Sequence, residues 1–192
     1  MTAGFVTEWG NLAVTGPGGV AAVLAVWLLV GRTVAGPYGL TILAVFTATV
    51  LFKLVSARFG GSVDGGWLHF SHGAPSGHMG MALAVYGGAA LLCTELGRGW
   101  LRVCVPAVAV ALIAAIGVTR VVVHAHTPAD VVAALFVAGL PLYWLHRRIA
   151  AAGTPGNAAL WVMLLALSAA SGLAHATGLR FDSSTGILSA GF

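Results

Sequence analysis

Charge is what this sequence has least of. Only 7% of its 192 residues are Asp, Glu, Lys or Arg, where soluble domains carry about 25%. Lys53 is the only lysine. So few charges cannot cover a water-soluble globule of this size, and a chain that is 59% hydrophobic is too apolar to be disordered. The net charge of +4 comes without a Lys/Arg cluster, which removes support for nucleic-acid binding. Cysteine is scarce too. Cys93 and Cys104 form no metal or redox spacing and lie at or inside apolar segments, so no disulfide is expected. A basic leader region is also lacking, since the first charge is Glu8, and the first apolar segment is expected to be retained. What is present is hydrophobicity, with a mean hydropathy of +0.97. The chain reads as an integral membrane protein.

A bilayer core needs roughly 20 apolar residues per helix. That length predicts six segments over residues 18–34, 38–56, 76–96, 100–123, 128–146 and 157–177. Turn chemistry separates them at Gly36-Pro37, Gly60-Gly61, Gly97 with Gly99, and Gly153 to Gly156. The runs are continuous and rich in Ala and Leu, which argues against strands. The expected fold is all-α: a polytopic six-transmembrane-helix bundle forming one membrane-embedded domain over residues 1–192. Trp67, Trp100, Trp144 and Tyr38 fall near segment ends and read as an aromatic belt.

Six helices place both termini on one side. The first, third and fifth loops hold Arg32, Arg98, Arg102, Arg147 and Arg148, and the other face holds Lys53, Arg58, Arg120 and Arg180. If Lys53, Arg58 and Arg120 belong to a site, the remaining bias puts the first face in the cytoplasm. The expectation is a multi-pass protein of a plasma (bacterial inner) membrane, with its site on the extracytoplasmic face. The Ala/Gly/Val-heavy composition suggests a bacterium.

Ionisable groups near a bilayer are costly, so their clustering is informative. Lys53 and Arg58 close the second segment; His69, His72, Ser76 and His78 precede or open the third. Arg120, His124, His126 and Asp130 lie at the turn from fourth to fifth. Four stretches thus converge on one membrane face. A carboxylate beside an imidazole can accept its Nδ1–H and leave Nε2 as a nucleophile. The Arg120 guanidinium offers a planar fork suited to phosphate oxygens. Pro75-Ser76-Gly77-His78 opens a helix, whose free N–H groups attract an anion; Gly77 admits close approach, and His78 can supply a proton. Taken alone, Ser76 is as well explained as an ordinary N-cap.

Pro75-Ser76-Gly77-His78 followed by Arg120-x5-His126-x3-Asp130 resembles the type-2 phosphatidic acid phosphatase family, also called lipid phosphate phosphatases. That family's pattern is Lys-x6-Arg-Pro, Pro-Ser-Gly-His, then Ser-Arg-x5-His-x3-Asp. Here Thr119 replaces the serine, and Lys53 is followed after four residues by Arg58 and then Phe59. The resemblance implies a metal-independent enzyme without cofactor, acting through a phosphohistidine. It makes His126 the nucleophile, Asp130 its orienting partner, and His78 the general acid and base. Lys53, Arg58, Ser76, Gly77 and Arg120 would bind phosphate. A site at the lipid–water boundary implies a lipid phosphate substrate among membrane lipids. Undecaprenyl pyrophosphate, phosphatidic acid, phosphatidylglycerol phosphate and a lipid A phosphate all fit.

Alternatives stay open. They are a lipid phosphotransferase of the same family, a non-catalytic lipid-phosphate-binding protein, and an intramembrane serine protease using Ser76. A zinc site built from the histidines is disfavoured by the neighbouring Lys53 and Arg120. His69, His72 and His124 are extra to the pattern and read as loop or supporting residues.

Overall fold

In the computed structural model, residues 3–59, 74–150, 156–182 and 187–190 are described. The expected break at Gly60-Gly61, together with Trp67, His69 and His72, lies outside them. A short helix α1 (Ala3–Glu8) precedes α2 (Leu12–Leu29) and α3 (Arg32–Phe59). Then come α4 (Gly77–Leu96), α5 (Leu101–Val122), α6 (Pro128–Ile149) and α7 (Asn157–Ala176). Six of these helices, α2 to α7, are long and apolar enough to cross a membrane. The fold is an all-α six-helix membrane bundle. A short hairpin was not anticipated: β1 (Leu179–Asp182) pairs antiparallel with β2 (Ile187–Ala190), beyond the last apolar run.

Two helix starts differ from the sequence expectation. Helix α2 begins at Leu12 rather than Gly18, because the Asn11 side chain caps it by accepting the Ala13 N–H at 2.9 Å. The break read at Gly36-Pro37 is not a break either. The chain turns at Gly31 (φ +113°), whose N–H and that of Val30 both donate to the Val26 carbonyl, and α3 runs from Arg32 through Pro37. Proline interrupts a helix less in an apolar bundle, where packing against neighbours replaces the lost hydrogen bond.

Helix α4 is the hub. Of its apolar stretch 72% is buried, whereas no other spanning helix exceeds 44%, so the other helices wrap around it. A π-helical turn at Leu83–Gly87 lies midway along it. The Tyr38 hydroxyl donates to the Val85 carbonyl within that turn at 2.8 Å. Tyr38 is therefore fully buried and is not part of an interfacial belt. Gly88 permits this approach, since a Cβ there would stand 2.5 Å from the Tyr38 ring. Helices α2 and α7 meet closely where Gly18 faces Ser171, and the Ser171 hydroxyl donates to the Val14 carbonyl at 3.2 Å. Large apolar side chains such as Leu28, Phe136 and Leu140 point outward, as a surface solvated by lipid requires.

Candidate active site

The C-terminal ends of α3 and α5 meet the N-terminal ends of α4 and α6 at one end of the bundle. There Lys53, Gly77, His78, Arg120 and His126 line one cavity of about 300 Å³. Each arrives by local geometry.

The turn between Arg120 and His126 is a Schellman closure of α5. His124 takes the left-handed conformation (φ 55°), its N–H donating to the Val121 carbonyl at 3.0 Å and that of Ala125 to Arg120 at 3.1 Å. The His126 N–H also reaches the Arg120 carbonyl, at 3.2 Å, so the five-residue gap folds back and sets His126 beside Arg120. His124 itself is exposed and serves the turn.

Helix α6 then starts with a capping box. Thr127 Oγ1 accepts from the Asp130 N–H at 3.2 Å, and Asp130 Oδ2 accepts from the Thr127 N–H at 2.9 Å. The same Oδ2 lies 3.3 Å from His126 Nδ1. One fully buried carboxylate thus caps the helix and orients the imidazole, leaving His126 Nε2 for chemistry. Burial first, and then the Arg120 charge, lower the His126 pKa from the ordinary imidazole value; the Asp130 hydrogen bond and charge oppose them. The net direction keeps the ring neutral, as a nucleophile requires.

On the facing element, Ser76 precedes α4 and donates its backbone N–H to the Asp130 carbonyl at 3.1 Å. Its hydroxyl does not cap the helix. That oxygen is buried with no hydrogen-bond partner among the described residues, and Arg120 Nε is orphaned in the same way. Buried polar atoms are rarely left unpaired; Arg120 lines the cavity, whereas Ser76 does not line it but directly precedes Gly77, which does. Among the described residues Ser76 forms no hydrogen bond with a histidine. Lys53 lies over Gly77: a Cβ added there would stand 3.4 Å from Nζ. Arg58, one turn further along α3, is exposed and is not among the residues lining the cavity. Among the described residues, no group of three or more His, Cys, Asp or Glu side chains could hold a metal ion.

The N-terminal segment also joins this site, a contribution that sequence reasoning missed. Thr7 is buried, and its Oγ1 accepts from Arg120 Nη1 at 3.4 Å across 113 residues. Gly10 packs on His78, where a Cβ would come within 2.8 Å of the His78 carbonyl. Asn11 lines the cavity. The Tyr86 hydroxyl holds the segment down by donating to the Trp9 carbonyl at 2.8 Å. The one sequence signal was Asn11, an N-cap residue ahead of an apolar run.

A family model described as the PAP2 superfamily matches residues 38–154, more than half of the chain. The chain belongs to the PAP2 superfamily. No curated protein and no solved structure matches it. Members of the PAP2 superfamily are phosphatases, which makes this chain a phosphatase-type protein of the phosphoric ester hydrolase class. The PAP2 match contains every cavity-lining residue from α3 to His126 and Asp130 behind it. It does not reach Thr7, Gly10, Asn11 or α2.

Proposed function

We propose that this PAP2 protein hydrolyses a phosphomonoester or pyrophosphate on a lipid, through a phosphohistidine at His126 and without a metal. One observation carries the reading: a carboxylate-oriented imidazole shares a 300 Å³ cavity with His78, Lys53 and Arg120, under an apolar wall of Phe46, Val50 and Leu54. Phosphoryl transfer asks for positioning and fixed positive charge, which this set supplies.

In the first step His126 Nε2 bonds to phosphorus, the ester P–O bond breaks, and the leaving oxygen takes a proton from His78. In the second, a water oxygen attacks phosphorus and gives its proton to His78. The P–N bond breaks, returning neutral His126. Lys53, Arg120, the Ser76 hydroxyl and the first N–H groups of α4 hold the non-bridging oxygens. Arg58 stands outside this set and is proposed to meet the headgroup rather than the transferred phosphoryl. The site faces the extracytoplasmic side of a plasma membrane, with the Arg98, Arg102, Arg147 and Arg148 end in the cytoplasm.

The test is phosphate release from a panel of lipid phosphates in detergent with EDTA, comparing wild type with His126→Ala. Release by wild type and its loss in the variant are expected. Equal release by both sinks the mechanism, and loss of wild-type release in EDTA sinks metal independence.

A further inference from the structure

The segment ahead of α2 bears on two groups of the proposed reaction at once. Gly10 is wedged between α4 and α5. A Cβ there would stand 2.8 Å from the His78 carbonyl oxygen, 2.8 Å from Ile116 Cγ2 and 3.1 Å from His78 Cβ. Ile116 lies one helical turn before Arg120 on α5. Thr7, earlier in the same segment, accepts from Arg120 Nη1 at 3.4 Å. Gly10 and Thr7 belong to one turn, closed by the Gly10 N–H donating to the Thr7 carbonyl at 3.1 Å. The backbone contact on His78 and the hydroxyl contact on Arg120 therefore move together.

This turn is anchored from outside the cavity. The Tyr86 hydroxyl, on the π-helical turn of α4, donates to the Trp9 carbonyl at 2.8 Å. On the other side the Phe5 and Trp9 rings lie against the His175 imidazole in the last turn of α7, with centroids 4.9 and 5.2 Å away. Glu8 Oε2 lies 3.7 Å from His175 Nδ1. After the turn, Asn11 caps α2. The segment is thus tied to α4, α7 and α2, and it presses on the backbone that carries His78. Displacing a reacting group by about 1 Å can cost about a hundredfold in rate, so such a contact has catalytic weight.

We propose that residues 3–11 form a strap that sets the position of His78, with Gly10 and Tyr86 as positioning residues. Gly10 bears on His78 directly, and Tyr86 holds the strap down through the Trp9 carbonyl. The proposal rests on the phosphatase reading for the role of His78 as general acid. The strap lies outside residues 38–154, which the family model matches.

The leaving group reads the placement of His78. An alkyl phosphate expels an alkoxide, which needs a proton as the P–O bond breaks. Nitrophenyl phosphate expels a stable phenolate, which does not. Because kcat/KM covers events only as far as the first irreversible step, the ratio of kcat/KM for the two substrates isolates that proton transfer. A smaller amount of folded protein leaves the ratio unchanged.

The full-length protein is assayed in detergent on decyl phosphate and 4-nitrophenyl phosphate. General acid catalysis contributes about 10²–10⁴-fold, so Gly10→Ala is expected to lower kcat/KM about tenfold or more on decyl phosphate and less than about threefold on 4-nitrophenyl phosphate. Tyr86→Phe removes one oxygen and keeps the ring; it should shift the ratio in the same direction by a smaller factor, and it carries the test if Gly10→Ala does not fold. Tyr38→Phe is the control. It removes the neighbouring hydrogen bond to Val85 on the same π-helical turn without touching the strap, and should keep the wild-type ratio. An unchanged ratio in the strap variants, or the same shift in Tyr38→Phe, overturns the proposal.

Hydrogen exchange reads the strap without turnover. In Tyr86→Phe the backbone N–H groups of residues 9–11 and of residues 80–82, in the first turns of α4, should exchange faster than in wild type. Unchanged exchange at residues 80–82 overturns the proposal. If wild type releases no phosphate from these substrates or from the lipid panel while residues 80–82 respond, the phosphatase reading fails and the grip of the strap on α4 stands.

Discussion

The Ser76 N–H donates to the Asp130 carbonyl at 3.1 Å, joining the start of α4 to the first turn of α6. Two motifs more than fifty residues apart in the chain are thereby locked in register by one backbone hydrogen bond. The other side of Asp130 holds His126, so a single residue fixes both the start of α4 and the imidazole. The consequences of that coupling can be measured.

Asp130→Asn should fold, because an amide can keep part of the capping box, while kcat falls by about two to four orders of magnitude. Thr127→Ala breaks the cap and leaves the His126–Asp130 contact. It should cost about 1 kcal/mol of stability with kcat nearly unchanged. Thermal denaturation and turnover, measured on both variants, separate the cap from the catalytic contact.

Under the proposed mechanism, protonation of His126 removes the Nε2 lone pair, so activity should disappear below its pKa. Burial and Arg120 lower that pKa, and the acid limb of the wild-type profile should lie below the ordinary imidazole value of about 6.5. Asp130 opposes the lowering, so Asp130→Asn should move the limb further toward acid. Comparing the two profiles on one substrate cancels the substrate's own titration. A limb that moves toward higher pH contradicts the assignment.

Thr7→Val keeps the volume of the side chain and removes the oxygen that accepts from Arg120 Nη1. A hydrogen bond to a charged group is worth about 1.5–3 kcal/mol when buried, less where water reaches the guanidinium. Inhibition by vanadate should weaken several-fold, with KM rising more than kcat falls. Thr7→Ser, which retains the oxygen, should restore most of the affinity.

His124 sits in the left-handed region at the end of α5, where glycine is at ease and a β-branched side chain is not. His124→Gly is expected to retain stability and turnover. His124→Val should cost about 1–2 kcal/mol. Loss of phosphatase activity in a folded His124→Gly protein would instead give this imidazole a chemical role.

The sequence was most legible where it was most repetitive. Six continuous apolar runs of bilayer length leave a helical bundle as the solution, because a backbone in hydrocarbon must satisfy its own hydrogen bonds. The Arg120-x5-His126-x3-Asp130 spacing was also readable, since a Schellman turn followed by a capped helix is local geometry. Pro37 misled: it lies inside a helix that packing sustains, and the actual break at Gly31 has little local signature.

By itself the sequence determined that the chain is a membrane bundle, and it named the residues of one polar cluster on one face. Only the tertiary structure decided that Arg58 stands off the cavity and that Thr7, Gly10 and Asn11 belong beside it. Periodicity and motif spacing report what neighbours in the chain do to one another. A hydrogen bond spanning 113 residues exists only once the helices have packed.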